Sequence, residues 1–118
     1  ASIPIFFNFR KKKLSRLANK YNFDILEELS LKNKIPDFIL VDGRYRVMSG
    51  IALYKFYKKN SKNFTIIFDD YSKRDFYIIL DKLFYIKKLG RIGVSNGLKM
   101  VDDSEVERLL NIYVNDFR

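Results

Sequence analysis

The stretch "DFILVDGRYRV", Asp37 to Val47, passes from a strand pattern to a helical one across a carboxylate, a glycine and two arginines. Bounded by Pro36 and Gly43, its apolar run lacks polar alternation, as in a strand buried on both faces. Helical spacing follows at once. In "RYRVMSGIALYKFYKKN" the residues Val47, Met48, Ile51, Ala52 and Tyr54 or Lys55 recur at the helical period. Lysines gather at the far end, where the helix dipole favours cations.

The same unit is repeated downstream. "NFTIIFDDY" is a second strand pattern ending at Asp69 and Asp70, and "SKRDFYIILDKLF" opens with Ser72 and Asp75 in capping-box-like spacing before a second helix. Strands alternating with helices of this length imply a parallel sheet with right-handed crossovers, an α/β fold. "YIKKLGRIGVSNG" then predicts an antiparallel hairpin, two short β-prone runs flanking Leu89 and Gly90. In "DDSEVERLLNIYVNDF" either Asp102 with Glu105 or Ser104 with Glu107 can cap a last helix. Nearer the N-terminus, "IPIFFNF" reads as a strand, "RKKKLSRLANKY" as a basic helix and "FDILEELSLKNK" as a short helix before Pro36.

The 118 residues fit a single domain, residues 1–118, with enough apolar content (47 %) to offset the entropy of ordering. Cysteine and histidine are both absent, which excludes disulfides, thiolate metal sites and imidazole catalysis. Any metal or acid/base chemistry therefore falls to carboxylates, lysines or tyrosines. No apolar run reaches membrane-spanning length, and the cytoplasm is the expected location. The net charge of +9 favours anionic partners, although plentiful lysine, asparagine, isoleucine and phenylalanine also follow from an AT-rich coding sequence.

Parallel strands deliver Asp42 and the Asp69/Asp70 pair to one C-terminal sheet edge, where open α/β sheets bind ligands. If the two strands are neighbours, about 4.8 Å apart, the carboxylates converge and need a cation or a proton between them. Oxygen ligands of this kind suit magnesium, calcium or manganese. The plainer reading has Asp42 capping the following helix and Asp70 shaping the turn before Ser72. Arg44 and Arg46 fall in the first helical turn, where the dipole disfavours each by about 0.3 to 1 kcal/mol. They either bind an anion there or neutralise Asp69 and Asp70. Tyr71 could stack on a ligand.

"PDFILVDGRYRV", followed by "FTIIFDDYSKRDFY" and "LGRIGV", resembles an uncharacterised bacterial subgroup of class I S-adenosylmethionine-dependent methyltransferase-like proteins, with a "DGR[FY]RV" segment and an acidic "DDY" or "HDY" turn. The resemblance runs from about Pro36 to Val94. It implies a Rossmann-like, partly parallel sheet in which Asp37 to Asp42 is the fourth strand, Phe64 to Asp69 the fifth and the hairpin the reversed last two of seven. It further implies a methyltransferase acting on a small, anionic acceptor, with S-adenosylmethionine and magnesium as cofactors. By position Asp42, Asp69 and Asp70 would be metal ligands; joined to the residue reading above, this makes Asp42 and Asp69 catalytic and puts Arg44, Arg46 and Tyr71 on the substrate.

Two departures stand out. "GRYR" replaces the family's lysine-bearing segment, and all five glycines, Gly43, Gly50, Gly90, Gly93 and Gly97, lie in the C-terminal portion, whereas the family's donor loop follows its first strand. The expectation is an apparently truncated fold: half of a longer protein, or a reduced relative that keeps the acceptor side. A truncated sheet has an open edge, covered by the N-terminal strand or by a second copy, and self-association is expected. Two other classes of function compete. The basic segment with Arg10, Lys11, Lys12, Lys13, Arg16 and Lys20 would suit a nucleic-acid-binding module, and a fold remnant pairing through its sheet edge would be a non-enzymatic interaction domain.

Overall fold

The computed structural model describes residues 4–9, 26–43, 46–71 and 77–113, and at 4–9, 42, 43 and 46 it describes the backbone alone. Five strands form one sheet: β1 (Pro4–Phe9), β2 (Phe38–Gly43), β3 (Thr65–Phe68), β4 (Phe84–Leu89) and β5 (Ile92–Leu98). Their spatial order is β1-β2-β3-β5-β4. The first three are parallel, and β5 runs antiparallel between β3 and β4. This is the Rossmann-like arrangement with a reversed C-terminal hairpin that the sequence implied. The open edge expected beside β2 is covered by β1, paired from Pro4↔Phe38 to Phe9↔Gly43.

Three helices are described: α1 (Arg46–Lys59), α2 (Tyr77–Leu83) and α3 (Asp103–Tyr113). A short helical stretch at 26–31 ends at Asn33, whose φ of 53° closes it in the left-handed conformation asparagine tolerates. Of the two caps open in the sequence, the helix start favours Asp102, since the first helical bond of α3 runs from the Val106 N–H to the Asp102 carbonyl (3.0 Å); the Glu105 carboxylate pairs with Arg108 (2.8 Å to Nε). The predicted basic helix "RKKKLSRLANKY" lies outside the described residues.

α1 was expected to bury one face but is buried nearly all round from Val47 to Tyr54. It lies among the sheet, α2 and α3 at once, so few of its side chains reach water. Gly50 makes that fit: a Cβ there would come within 2.2 Å of Leu80 Cδ2 on α2. Tyr54 then ties α1 to the end of the hairpin, donating to the Lys99 carbonyl (2.7 Å) and accepting from the Val101 N–H (3.0 Å).

Strand alternation divides the sheet into two unlike faces. Ile39, Val41, Ile66 and Phe68 point to one and are fully buried with Phe84, Leu80 and Leu83. Their neighbours Phe38, Leu40, Thr65 and Ile67 point to the other and are only half-buried.

The β4–β5 loop is Gly90-Arg91, one residue later than the sequence pattern suggested. Gly90 has φ of 62° and stands first in a two-residue loop, as a type II′ hairpin turn requires.

Candidate functional site

The parallel register brings the ends of β2 and β3 together. Val41 pairs with Phe68, and the Asp69 N–H donates to the Val41 carbonyl (2.9 Å), so the backbones of Asp42 and Asp69 leave the sheet side by side at its C-terminal edge. β1 ends at the same edge, with Asn8 in register with Asp42. The carboxyl of Asp42, the side chain of Arg46 and all of Arg44 lie outside the described residues. Arg46 opens α1, whose first turn holds no acidic residue.

Asp69 and Asp70 are half-buried in the turn that leaves β3. Asp70 has φ of 52°, a left-handed conformation that aspartate tolerates better than most residues, and its carbonyl accepts the Tyr77 hydroxyl (2.7 Å). Asp70 thus does the turn-forming work weighed for it in the sequence. Among the described residues no three His, Cys, Asp or Glu side chains form a group that could hold a metal ion.

Tyr71 does not offer its ring to a ligand. It is buried, packs against Tyr77 (ring centroids 4.5 Å apart) and donates its hydroxyl to Asp81 Oδ1. Burial raises its pKa well above the ordinary tyrosine range, and the hydrogen bond to Asp81 and that carboxylate's charge add to the rise. Tyr71 acts instead as a strut under the hairpin: Gly93 lies so close above its ring that a Cβ would meet Tyr71 Cγ at 2.7 Å.

A residue that sequence reasoning passed over belongs to this edge. Because β5 starts where β3 ends, with Phe68 opposite Gly93, the hairpin tip comes to the C-terminal edge. The Tyr71 N–H donates to the Arg91 carbonyl (2.7 Å), which sets the exposed Arg91 next to the Asp69-Asp70 turn. The signal was available in "LGRIG": a hairpin following a parallel strand returns its tip to that strand's carboxyl end.

The described concavities lie elsewhere. A groove of about 470 Å³ between α1 and α3 is flanked by the ion pairs Lys55–Glu107 (2.6 Å) and Lys58–Asp103 (2.8 Å). A cleft of about 500 Å³ at the opposite edge of the sheet is lined by Asp37, Asn63, Thr65 and Asn96. There Asp37 Oδ1 is buried with no hydrogen-bond partner among the described residues. Burial, followed by the Asp37 charge, raises the pKa of Tyr57, whose hydroxyl donates to the Pro36 carbonyl (2.5 Å).

Three of the described glycines serve packing or turning. Gly50 and Gly93 admit close neighbours and Gly90 makes the hairpin turn. No described helix is long and apolar enough to cross a membrane.

With this geometry in place, comparison with solved structures finds a methyltransferase-like protein from Silicibacter pomeroyi DSS-3 at a TM-score of 0.56 and 22 % identity. The match covers 86 % of this chain and 52 % of that one, so the chain spans about half the length of the protein it resembles. At this identity the likeness shows the fold, which is methyltransferase-like. No family model and no curated protein matches the chain.

Proposed function

We propose that the chain is a methyltransferase-like domain supplying the acceptor side of a methyl-transfer site for a small anionic molecule. The observation that carries this reading is the register of β2 and β3, which sends Asp42 and Asp69 off one sheet edge side by side. The methyltransferase-like fold supports it. In this reading Asp42 and Asp69 orient and deprotonate an acceptor hydroxyl, and Asp70 joins them as a ligand when magnesium is present. Arg44, Arg46 and Arg91 hold the acceptor's anionic group. S-adenosylmethionine would supply the methyl group. The chain's own contribution is positioning and proton removal.

The test is calorimetric titration of the folded chain with S-adenosylmethionine, with and without magnesium, for the wild type and Asp69→Asn. Binding that Asp69→Asn weakens about tenfold, a loss of roughly 1.4 kcal/mol, supports the reading. A folded chain that binds neither compound loses the enzyme reading. It is then left with the second one, a non-enzymatic interaction domain.

A further inference from the structure

The half-buried face of the sheet is covered by nothing among the described residues. Going from β1 to β2 to β3 to β4 the chain moves across the sheet in one direction, and right-handed crossovers moving one way all lie on one side. The described part of each connection agrees. Leu26 belongs to the core cluster with Ile39 and Val41, and Ser30 Oγ hydrogen-bonds Asn60 at the end of α1 (3.1 Å). α1 and α2 pack on the sheet, and α3 packs on α1.

The other face presents Phe38, Leu40, Ile67, Val94, Ile92 and Leu89, none of which belongs to the core cluster or packs against it. Ile67 lies between Leu40 and Val94 in register, at the middle of the face. At the end of this face Asn96 Nδ2 donates to Thr65 Oγ1 (2.9 Å) and to the Phe64 carbonyl (3.2 Å). Sheets with parallel strands are normally covered on both faces.

We propose that this face docks onto the same face of a second copy of the chain, giving a two-fold sandwich of sheets about 10 Å apart. Five strands about 4.8 Å apart and about 20 Å long make a face of roughly 500 Å², so two copies bury on the order of 1,000 Å², the lower bound of a specific interface. An apolar, uncharged centre is self-complementary, and it offers a highly charged partner no counter-charge. Lys87 alone adds charge to the Leu40-Ile67-Val94 row, at its outer end on β4, where a long side chain reaches water at the rim. Association through the β4 edge is disfavoured. Lys87 and Lys88 stand on that strand, which carries no acid to balance them.

The test is the mass in solution, by sedimentation equilibrium from about 1 to 100 µM, a range that resolves micromolar dimers. The wild type is expected to dimerise, and Ile67→Lys to weaken the dimer at least tenfold with unchanged far-UV circular dichroism. Should Ile67→Lys fail to fold, Ile67→Thr, which keeps β-branching, carries the same test. A wild type that stays monomeric overturns the proposal and leaves the face to a different polypeptide. A dimer indifferent to Ile67→Thr also overturns it, because assembly then runs through an edge or a helix.

Discussion

Phe68 and Ile67 are adjacent on one strand, yet they belong to two different environments. Phe68 is fully buried, with its ring 5.6 Å from that of Phe84 and in contact distance of the space above Gly50. Ile67 is half-buried between Leu40 and Val94. Among the described residues, the same sheet is covered on one side and left open on the other. A strand buried on both faces cannot be assumed from an apolar run alone, since the run records what its side chains would tolerate and the crossovers determine what covers them.

The largest expected effect compares those two neighbours directly. Phe68→Ala opens a cavity among Phe84, Leu80 and Gly50 and should cost about 3 to 5 kcal/mol in urea unfolding. Ile67→Ala, measured at a dilution where sedimentation finds the chain monomeric, should cost about 1 kcal/mol or less, since less apolar surface is lost from cover. Comparable losses at the two positions would mean that both faces are covered within the monomer, and the contrast would fail.

A smaller effect probes how the hairpin is seated on the finished side. Gly93→Ala places a Cβ 2.7 Å from Tyr71 Cγ and 2.9 Å from Ile86 Cγ2. Tyr71 cannot swing away, because its ring packs on Tyr77 and its hydroxyl is held by Asp81. Overpacking of this kind should cost about 1 to 3 kcal/mol. Gly97→Ala serves as the control, since its Cβ would lie 3.6 Å from Tyr85 and fit without movement. Equal stability of the two variants would show that the hairpin gives way.

Much of this architecture was legible. The strand-helix-strand-helix order could be read from Pro36 onward because each apolar run ends at a carboxylate or glycine and each helix carries its own dipole and cap signals. Asp42 and Asp69 were placed at a common edge from strand direction alone, and the register agrees at the backbone. Long-range packing was not legible. Tyr71 looked like a free aromatic beside two acids, and only the position of the hairpin above it makes it a strut. Arg91 was overlooked because "LGRIG" marks only a turn locally, and its place beside Asp69 and Asp70 follows once the hairpin tip is traced to the carboxyl end of β3. The all-round burial of α1 likewise follows from three partners meeting it at once, whereas its own periodicity suggested a single face.

The smallest expected effect is on pH dependence, and it separates Tyr57 and Tyr71 from ordinary surface tyrosines. Both have pKa values raised above the ordinary tyrosine value of about 10, chiefly by burial. Their neutral forms are favoured in the folded chain, so the stability they contribute is intact below about pH 10 and declines as pH rises past the unfolded-state value, where only the unfolded chain ionises freely. Loss of lysine charge over the same range relieves self-repulsion and acts in the opposite sense, so the wild-type curve alone is ambiguous. Tyr71→Phe resolves it. At pH 7 the variant loses the bond to Asp81 and should melt several degrees lower, a loss of about 1.5 kcal/mol. Above pH 10 its melting temperature should fall less steeply than that of the wild type, because one titrating group has gone while the lysines are unchanged. Parallel curves from pH 9 to 11 would mean that Tyr71 ionises as freely in the folded chain as in the unfolded one, and its assignment as a buried strut beneath Gly93 would have to be withdrawn.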